Sequence, residues 1–476
     1  MFAGEAPATA DDAVYLHGPS DALQVLPWVL IALAVAAAFL TRRRSAGPAA
    51  APVGTVAPSP GGTVGHVQVI DGLRGIAILL VVLFHFWQLS FYAIRIPVPG
   101  GDLEYIQVAG FLGVELFFFL SAFCLFYPHA LAMAGERPVP TLRHFYHRRA
   151  IKIVPSYLIV LFVLGTCWPT LYPSTWHHGK LADLGVHLGF VHNFWAQTRS
   201  SFDGVLWSLA VEVQFYVVFP LLARMFRHLP WATAALMVAV ALSYRSWARG
   251  LPLGEFELKE TLLPGFLDLF AFGMLTAYLV VRLQHLQAAA ADARRAFTAL
   301  ALVAVVTVLF MFRWLADVRY DGPPLVVWQS MNRHWIGLLF GCVAVASVFA
   351  VAAWRRLLAN RALLFLSAIS YNLYLWHQAV GVLLRKYNVV PADTDVPTDD
   401  PRWRWTYLLV ALTLSVIVAT AITYAIERPL LRLGLRGATR AALTRLRAVP
   451  VTGRPGTPSA EEAGNASEWR RHSQRR

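Results

Sequence analysis

The sequence predicts an all-α, polytopic membrane protein with about eleven transmembrane helices. Three observations lead there. Of the 476 residues, 57% are hydrophobic and only 14% are charged, whereas a soluble domain carries roughly 25% charged residues. Many apolar windows reach the length of about 18 residues that crosses hydrocarbon. These runs are continuous rather than alternating, which argues against a membrane β-barrel.

The elements follow in order. The first 22 residues lack Lys and Arg and carry Glu5, Asp11, Asp12 and Asp21, so the positive start of a signal peptide is missing. An apolar segment at about 23–40 runs into Arg42–Arg44 and reads as a span with a cytoplasmic C-terminal end. Residues 1–44 are thus expected to hold an extracytoplasmic N-terminus and one extra span. Residues 45–69, rich in Pro, Gly and Ala, read as a linker without a core. Ten further spans are expected at about 72–92, 110–128, 153–170, 205–223, 230–247, 262–283, 296–313, 334–353, 363–384 and 406–425, within one domain of 70–430. Residues 431–476 read as a basic, partly disordered cytoplasmic tail.

Loop charge sets the orientation. With Arg42–Arg44 inside, the inner loops also hold Arg143, Arg148, Arg149 and Lys152, then Arg224 and Arg227, Arg294 and Arg295, and Arg355, Arg356 and Arg361. The outer loops dilute their bases with acids such as Asp393, Asp395, Asp399 and Asp400. The net charge of +14 therefore reflects topology in a plasma or inner membrane, and the implied partner is a lipid bilayer rather than nucleic acid. Cys124, Cys167 and Cys342 lie in or beside apolar runs and behave as small hydrophobes. No metal site is expected.

Titratable groups inside spans are costly and usually face a bundle interior or a wet cavity. His85, in "IDGLRGIAILLVVLFHF", lies roughly 10 Å from the outer end of its expected span. Glu115, in "GVELFFFLSAF", lies roughly 8 Å from the outside; Glu212, in "LWSLAVEVQFYVVFP", and His377, in "SYNLYLWHQ", lie at roughly 10 Å. Each alone is readily a structural hydrogen bond, an ion pair or a helix-end charge. Four at one level point to a site. A second polar set lies at the cytoplasmic level: Arg74 at the mouth of the His85 span, and Arg148, Arg149 and Lys152 in "HFYHRRAIKIVPSY". Plain positive-inside topology explains most of these, but arginine clusters also pair phosphate oxygens. Arg74 and His85 are eleven residues apart, roughly 16 Å along a helix, a reach comparable to an extended pantetheine arm.

Six stretches in order, "DGLRGIAILLVVLFHF", "GVELFFFLSAF", "RRAIKIVPSY", "LWSLAVEVQFY", "SYNLYLWH" and the late "AIERP", resemble the acyltransferase-3 family of integral membrane acyltransferases. The resemblance covers about 70–430. It implies ten helices with both termini inside, to which this chain adds one span. It also implies transfer of an acyl group, usually acetyl, from cytoplasmic acyl-CoA to a hydroxyl of an extracytoplasmic acceptor. That acceptor is most often a carbohydrate: exopolysaccharide, cell-wall glycan or glycolipid. No bound cofactor is implied; acyl-CoA is a substrate. His85 matches the family's catalytic histidine, and Arg74, Arg148 and Arg149 match positions tied to donor binding or activity. Glu212 matches the acid of the Trp-Ser-Leu motif. Two departures stand out: Ala122 where the family has Gly, and Lys152 where it has Arg. No esterase-like domain is expected in the short tail.

The expected machinery is then His85 as general base, with Glu115 orienting it as a carboxylate does in a triad, and Glu212 as a further catalytic acid. Arg74, Arg148, Arg149 and Lys152 bind the donor. Asp71, Ser208, Tyr216, Tyr374 and His377 contact substrate. An acyl group parked on His85 or Ser121 is the covalent alternative. A proton-coupled transporter is the competing class, since carriers also hold Glu and His within spans; no internal repeat of the transporter kind is visible.

Overall fold

The computed structural model describes residues 67–94, 102–168, 176–285, 291–321 and 324–432. Among them the chain is helical, with ten long helices: α1 (Gln68–Ser90), α2 (Leu112–Met133), α3 (Leu142–Cys167), α4 (Leu206–His228), α5 (Pro230–Ala248), α6 (Leu267–His285), α7 (Ala291–Asp321), α8 (Leu325–Phe349), α9 (Arg361–Lys386) and α10 (Pro401–Ile422). Each overlaps one of the ten expected spans, but α3 begins at Leu142 and α8 at Leu325, well before the expected starts at 153 and 334. Eight helical stretches among the described residues are long and apolar enough to cross a membrane. The remaining two, α5 and α9, are 19 and 26 residues long but carry more polar groups, Arg245 in α5 and Ser370, Asn372 and His377 in α9. The expected total of about eleven is therefore not reached on length and composition. The expected N-terminal span at 23–40, most of the linker and the tail beyond 432 lie outside the described residues.

Local signals explain several ends. Thr141, Asn360 and Asp400 accept backbone N–H bonds at the starts of α3, α9 and α10, from His144, Leu363 and Arg402, the usual role of N-cap side chains. Pro401 occupies the first turn of α10, where its missing N–H costs nothing. At the other end α10 runs into a π-helical turn, Thr423–Glu427.

Glycine decides how the helices meet. Small residues let membrane helices approach at backbone distance. A methyl group on Gly75 of α1 would sit 2.3 Å from the Leu363 carbonyl oxygen of α9, and one on Gly273 of α6 would sit 2.2 Å from the Phe119 carbonyl of α2. Helix α1 thus packs directly on α9, and α2 on α6, with α1 also against α2. Buried apolar side chains such as Ile78, Val82, Phe86, Ile369, Leu373 and Tyr407 fill the space between α1, α9 and α10.

Between α3 and α4 the chain builds a small cap from the helices Gly179–Leu188 and Ala196–Arg199 and the turn His192–Phe194. The cap is tied down by the Gln214 amide donating to Asn193 Oδ1 and Phe190 O, both at 2.9 Å, and by Asn193 donating to Thr261 O at 2.9 Å. Its interior holds the buried polar residues Asp183, His187, His192, Thr198, Ser201 and Asp203. Burial pushes the Asp203 carboxyl up to about 8, against the opposing bonds from the backbone N–H groups of Val205 and Gly204. Burial likewise lowers His192 to about 3.

Candidate active site

His85 of α1 and His377 of α9 meet across the close α1–α9 contact. His377 Nε2 lies 3.1 Å from His85 Nδ1, and the rings stand edge to face at 69° with centroids 4.8 Å apart. His85 Nδ1 is also 2.8 Å from the Val81 carbonyl one turn back. His377 Nδ1 lies 3.0 Å from Leu373 O and 2.8 Å from Tyr374 O. His85 borders a cavity of about 700 Å³, whose wall includes Phe84, Trp207, Phe266, Tyr374, Glu115 and Arg333. His377 is fully buried behind it. His377, expected to contact substrate, does not line this cavity; its ring meets His85, two backbone carbonyls and the rings of Phe86 and Tyr374.

Glu115 does not orient His85. Its Oε1 accepts from Arg333 Nε at 3.0 Å and from Gln329 Nε2 at 2.8 Å. Arg333 also donates to Glu260 Oε2 at 2.8 Å and to the Gly265 carbonyl at 3.1 Å, while its guanidinium lies over the Phe266 ring at 4.1 Å. The same Gly265 carbonyl accepts from Arg245, which pairs with Asp268 at 2.6 Å. Two buried guanidiniums are thus matched to three carboxylates, as buried charges require. Glu115 keeps a place in the cavity wall, with its Oε2 unpartnered. Sequence reading missed Arg333 because it falls just before the 334–353 apolar run, where an arginine looks like a loop residue.

Glu212, unlike Glu115, does not line the His85 cavity. One turn beyond Ser208 on α4, it accepts from Ser121 Oγ at 2.7 Å and from Tyr216 Oη at 2.5 Å, and Arg74 is an electrostatic neighbour. The hydroxyl of Tyr216 is committed to Glu212, and Arg149 lies over its ring at 5.7 Å; the residue is a clasp between α4 and the arginines rather than a cavity wall. The hydroxyls of Ser208 and Tyr374 lie 2.6 Å apart and both reach the Val205 carbonyl, at 3.0 and 3.1 Å. Of these two, Tyr374 borders the cavity.

A second cavity, of about 440 Å³, collects the other polar set. Asp71, Arg74, Arg148 and Arg149 line it, as do Arg137, His129 and His144, three bases that sequence reading left out because nothing in their spacing ties them to Arg74. Asp71 therefore sits with the arginines. Lys152 is absent from this wall. Its ammonium pairs with Glu427, whose Oε2 accepts from Asn372 at 2.8 Å. Asn372 in turn donates to Thr423 at 2.9 Å. The expectation of a phosphate ligand at Lys152 gives way to an ion pair that locks α3 to the π-turn, and the acid of "AIERP" has its partner.

Helix α2 passes both chambers. Val114 and Glu115 border the first and Phe123, Cys124 and Leu125 the second, with Ser121 and its bond to Glu212 in between. Nine residues separate Glu115 from Cys124, roughly 14 Å along the axis.

A family model described as an acyltransferase domain matches residues 67–424 of this chain. A Staphylococcus aureus (strain COL) protein named for O-acetyltransferase activity is 23% identical over 397 residues, covering 78% of this chain and 58% of the relative. A Bacillus subtilis (strain 168) protein named for peptidoglycan O-acetyltransferase activity is 24% identical over 396 residues, covering 79% of this chain and 56% of the relative. An acyltransferase of Streptomyces mycarofaciens is 28% identical over 228 residues, covering 44% of this chain and 57% of the relative. The chain thus spans somewhat more than half the length of the curated relatives it matches. No solved structure matches it.

Proposed function

This chain belongs to the acyltransferase-3 family, and from that premise we propose that it is a multi-pass O-acyltransferase of the cell membrane. It moves an acyl group, acetyl by family resemblance, from cytoplasmic acyl-CoA to a hydroxyl of an extracytoplasmic carbohydrate. The observation that carries this reading is the pair of chambers on one helix. Arg74 and Asp71 at one end of α1 border the arginine-rich cavity, and His85 toward the other end borders the larger one.

The chemistry follows from the residue types. Arg137, Arg148 and Arg149 suit the phosphates of acyl-CoA, because the guanidinium fork pairs phosphate oxygens with charge-assisted bonds. The larger chamber mixes aromatic faces, Phe84, Trp207 and Tyr374, with carboxylates and amides, Glu115, Glu260 and Gln329. That combination suits a sugar, which offers apolar ring faces and many hydroxyls. His85 takes the proton of the acceptor hydroxyl as its oxygen attacks the thioester carbonyl. The C–S bond breaks, the ester forms, and the thiolate leaves with the proton returned by the imidazolium. The Bacillus relative, named for peptidoglycan O-acetylation, favours a cell-wall or other surface glycan. Family membership favours this enzyme over the transporter reading.

The deciding experiment uses the purified protein in nanodiscs with labelled acetyl-CoA and a glycan oligosaccharide. Label appearing in an ester, together with free CoA, supports the reading. Absence of both CoA release and ester across a panel of glycans would remove it.

A further inference from the structure

Protonation along the histidine pair is fixed by what surrounds it. Carbonyl oxygens only accept. His377 Nδ1 faces two of them, Leu373 O and Tyr374 O, so this nitrogen carries a proton. In the neutral ring His377 Nε2 is then an acceptor. His85 Nδ1 faces that acceptor at 3.1 Å and the Val81 carbonyl at 2.8 Å, so it too carries a proton, shared between the two. The lone pair of His85 is left on Nε2, the nitrogen turned away from these partners, on the ring that borders the larger chamber.

We infer that His377 is the positioning residue of His85: a second imidazole, rather than a carboxylate, accepts the His85 Nδ1 proton and leaves Nε2 free to act as base. The inference rests on the general-base reading of His85 and supplies the partner that Glu115, held by Arg333, does not. Among the described residues, the hydrogen-bond partners of the two rings are each other and three carbonyls. When His85 takes the acceptor proton, its positive charge spreads to Nδ1–H. The bonds to Val81 O and to His377 Nε2 then become charge-assisted and shorten. The pair thereby favours the state that forms only during transfer, which raises kcat rather than binding. A neutral acceptor also avoids leaving a permanent buried charge behind the base in the resting enzyme.

Histidine-selective ¹⁵N NMR of the full chain in nanodiscs tests the tautomer directly, with H85A used to assign the signal. The expected spectrum shows His85 with a protonated Nδ1 and an unprotonated Nε2; the reverse tautomer would overturn the inference even if His85 is the base. Kinetics give the second arm. H377A should lower kcat by about 10–100-fold, the scale of one hydrogen bond to a charged group, with the acceptor KM within about threefold. H377Q, whose amide oxygen reaches the place of Nε2, should recover much of that loss. Equal kcat for H377A and wild type, or equal loss in H377A and H377Q when both elute as folded protein, would return His377 to a packing role. Full turnover by H85A would instead sink the general-base reading and leave the tautomer result standing.

Discussion

Arg333 and Glu115, 218 positions apart in the chain, form an ion pair at 3.0 Å with both side chains about 1% exposed. Glu115, Arg333 and Glu260 line the larger chamber, and the network continues behind them through Gly265 to Arg245 and Asp268. It joins α8 to α2, and through Gly265 to α5 and α6. Removing one side of such a pair leaves an uncompensated charge on a buried side chain.

R333A should therefore destabilise the fold by about 3–5 kcal/mol, the usual cost of stranding a buried charge. Thermal unfolding in micelles checks it. A melting temperature within a degree of wild type would show that water reaches Glu115 and Glu260.

Alanine at His85 should cut turnover by about 10²–10⁴-fold, the range expected for loss of a general base, while acyl-CoA binds as before. Single-turnover kinetics with a separate acyl-CoA titration read the two effects apart. A variant that loses affinity and keeps its rate would place the imidazole in donor binding.

For the arginine cavity, R149A and R137A should each weaken acyl-CoA binding by about tenfold, the loss of one charge-assisted contact, and leave the acceptor KM alone. The size of the loss should shrink as salt rises. Unchanged affinity in both variants would reduce these residues to markers of topology.

K152M should leave acyl-CoA affinity unchanged but lower stability by about 1–3 kcal/mol, because Glu427, 4% exposed, loses its partner. The cost falls short of a fully buried pair because the lysine is 32% exposed. Adding E427Q removes the stranded charge and should restore most of the melting temperature. Weakened acyl-CoA binding by K152M alone would reinstate the lysine as a phosphate ligand.

Stability should also depend on pH through the cap. Asp203 titrates near 8 in the fold because burial disfavours its charge, whereas an unfolded aspartate titrates near 4. The unfolded chain therefore releases this proton first, and the fold loses stability as pH rises from about 4 to 8. His192, lowered to about 3 by burial, works from the other side: its contribution is lost as pH falls below about 6.5. D203N keeps an oxygen for the Val205 N–H and removes the charge, so it should raise the melting temperature at pH 8 more than at pH 5. An equal shift at both values would mean that the carboxyl is ionised throughout.

Much was legible in the chain itself. Each of the ten expected runs overlaps a helix, and eight helical stretches among the described residues are long and apolar enough to cross hydrocarbon, because length and hydropathy act with no reference to neighbours. His85 was visible as a titratable group inside such a run, and Arg74, Arg148 and Arg149 as a basic set at the opposite end. Counting along a helix fixes how deep a side chain lies, but not which way it turns or what stands opposite. The choice of partner therefore came from tertiary structure alone. His85 met His377 across 292 positions and Lys152 met Glu427 across 275, while Glu115 went to Arg333 and Glu212 to Ser121 and Tyr216. Backbone-close packing at Gly75 and Gly273 sets the rotation of α1 on α9 and of α2 on α6. Rotation decides pairing because a hydrogen bond requires atoms within about 3 Å, a distance that depth along separate helices does not specify.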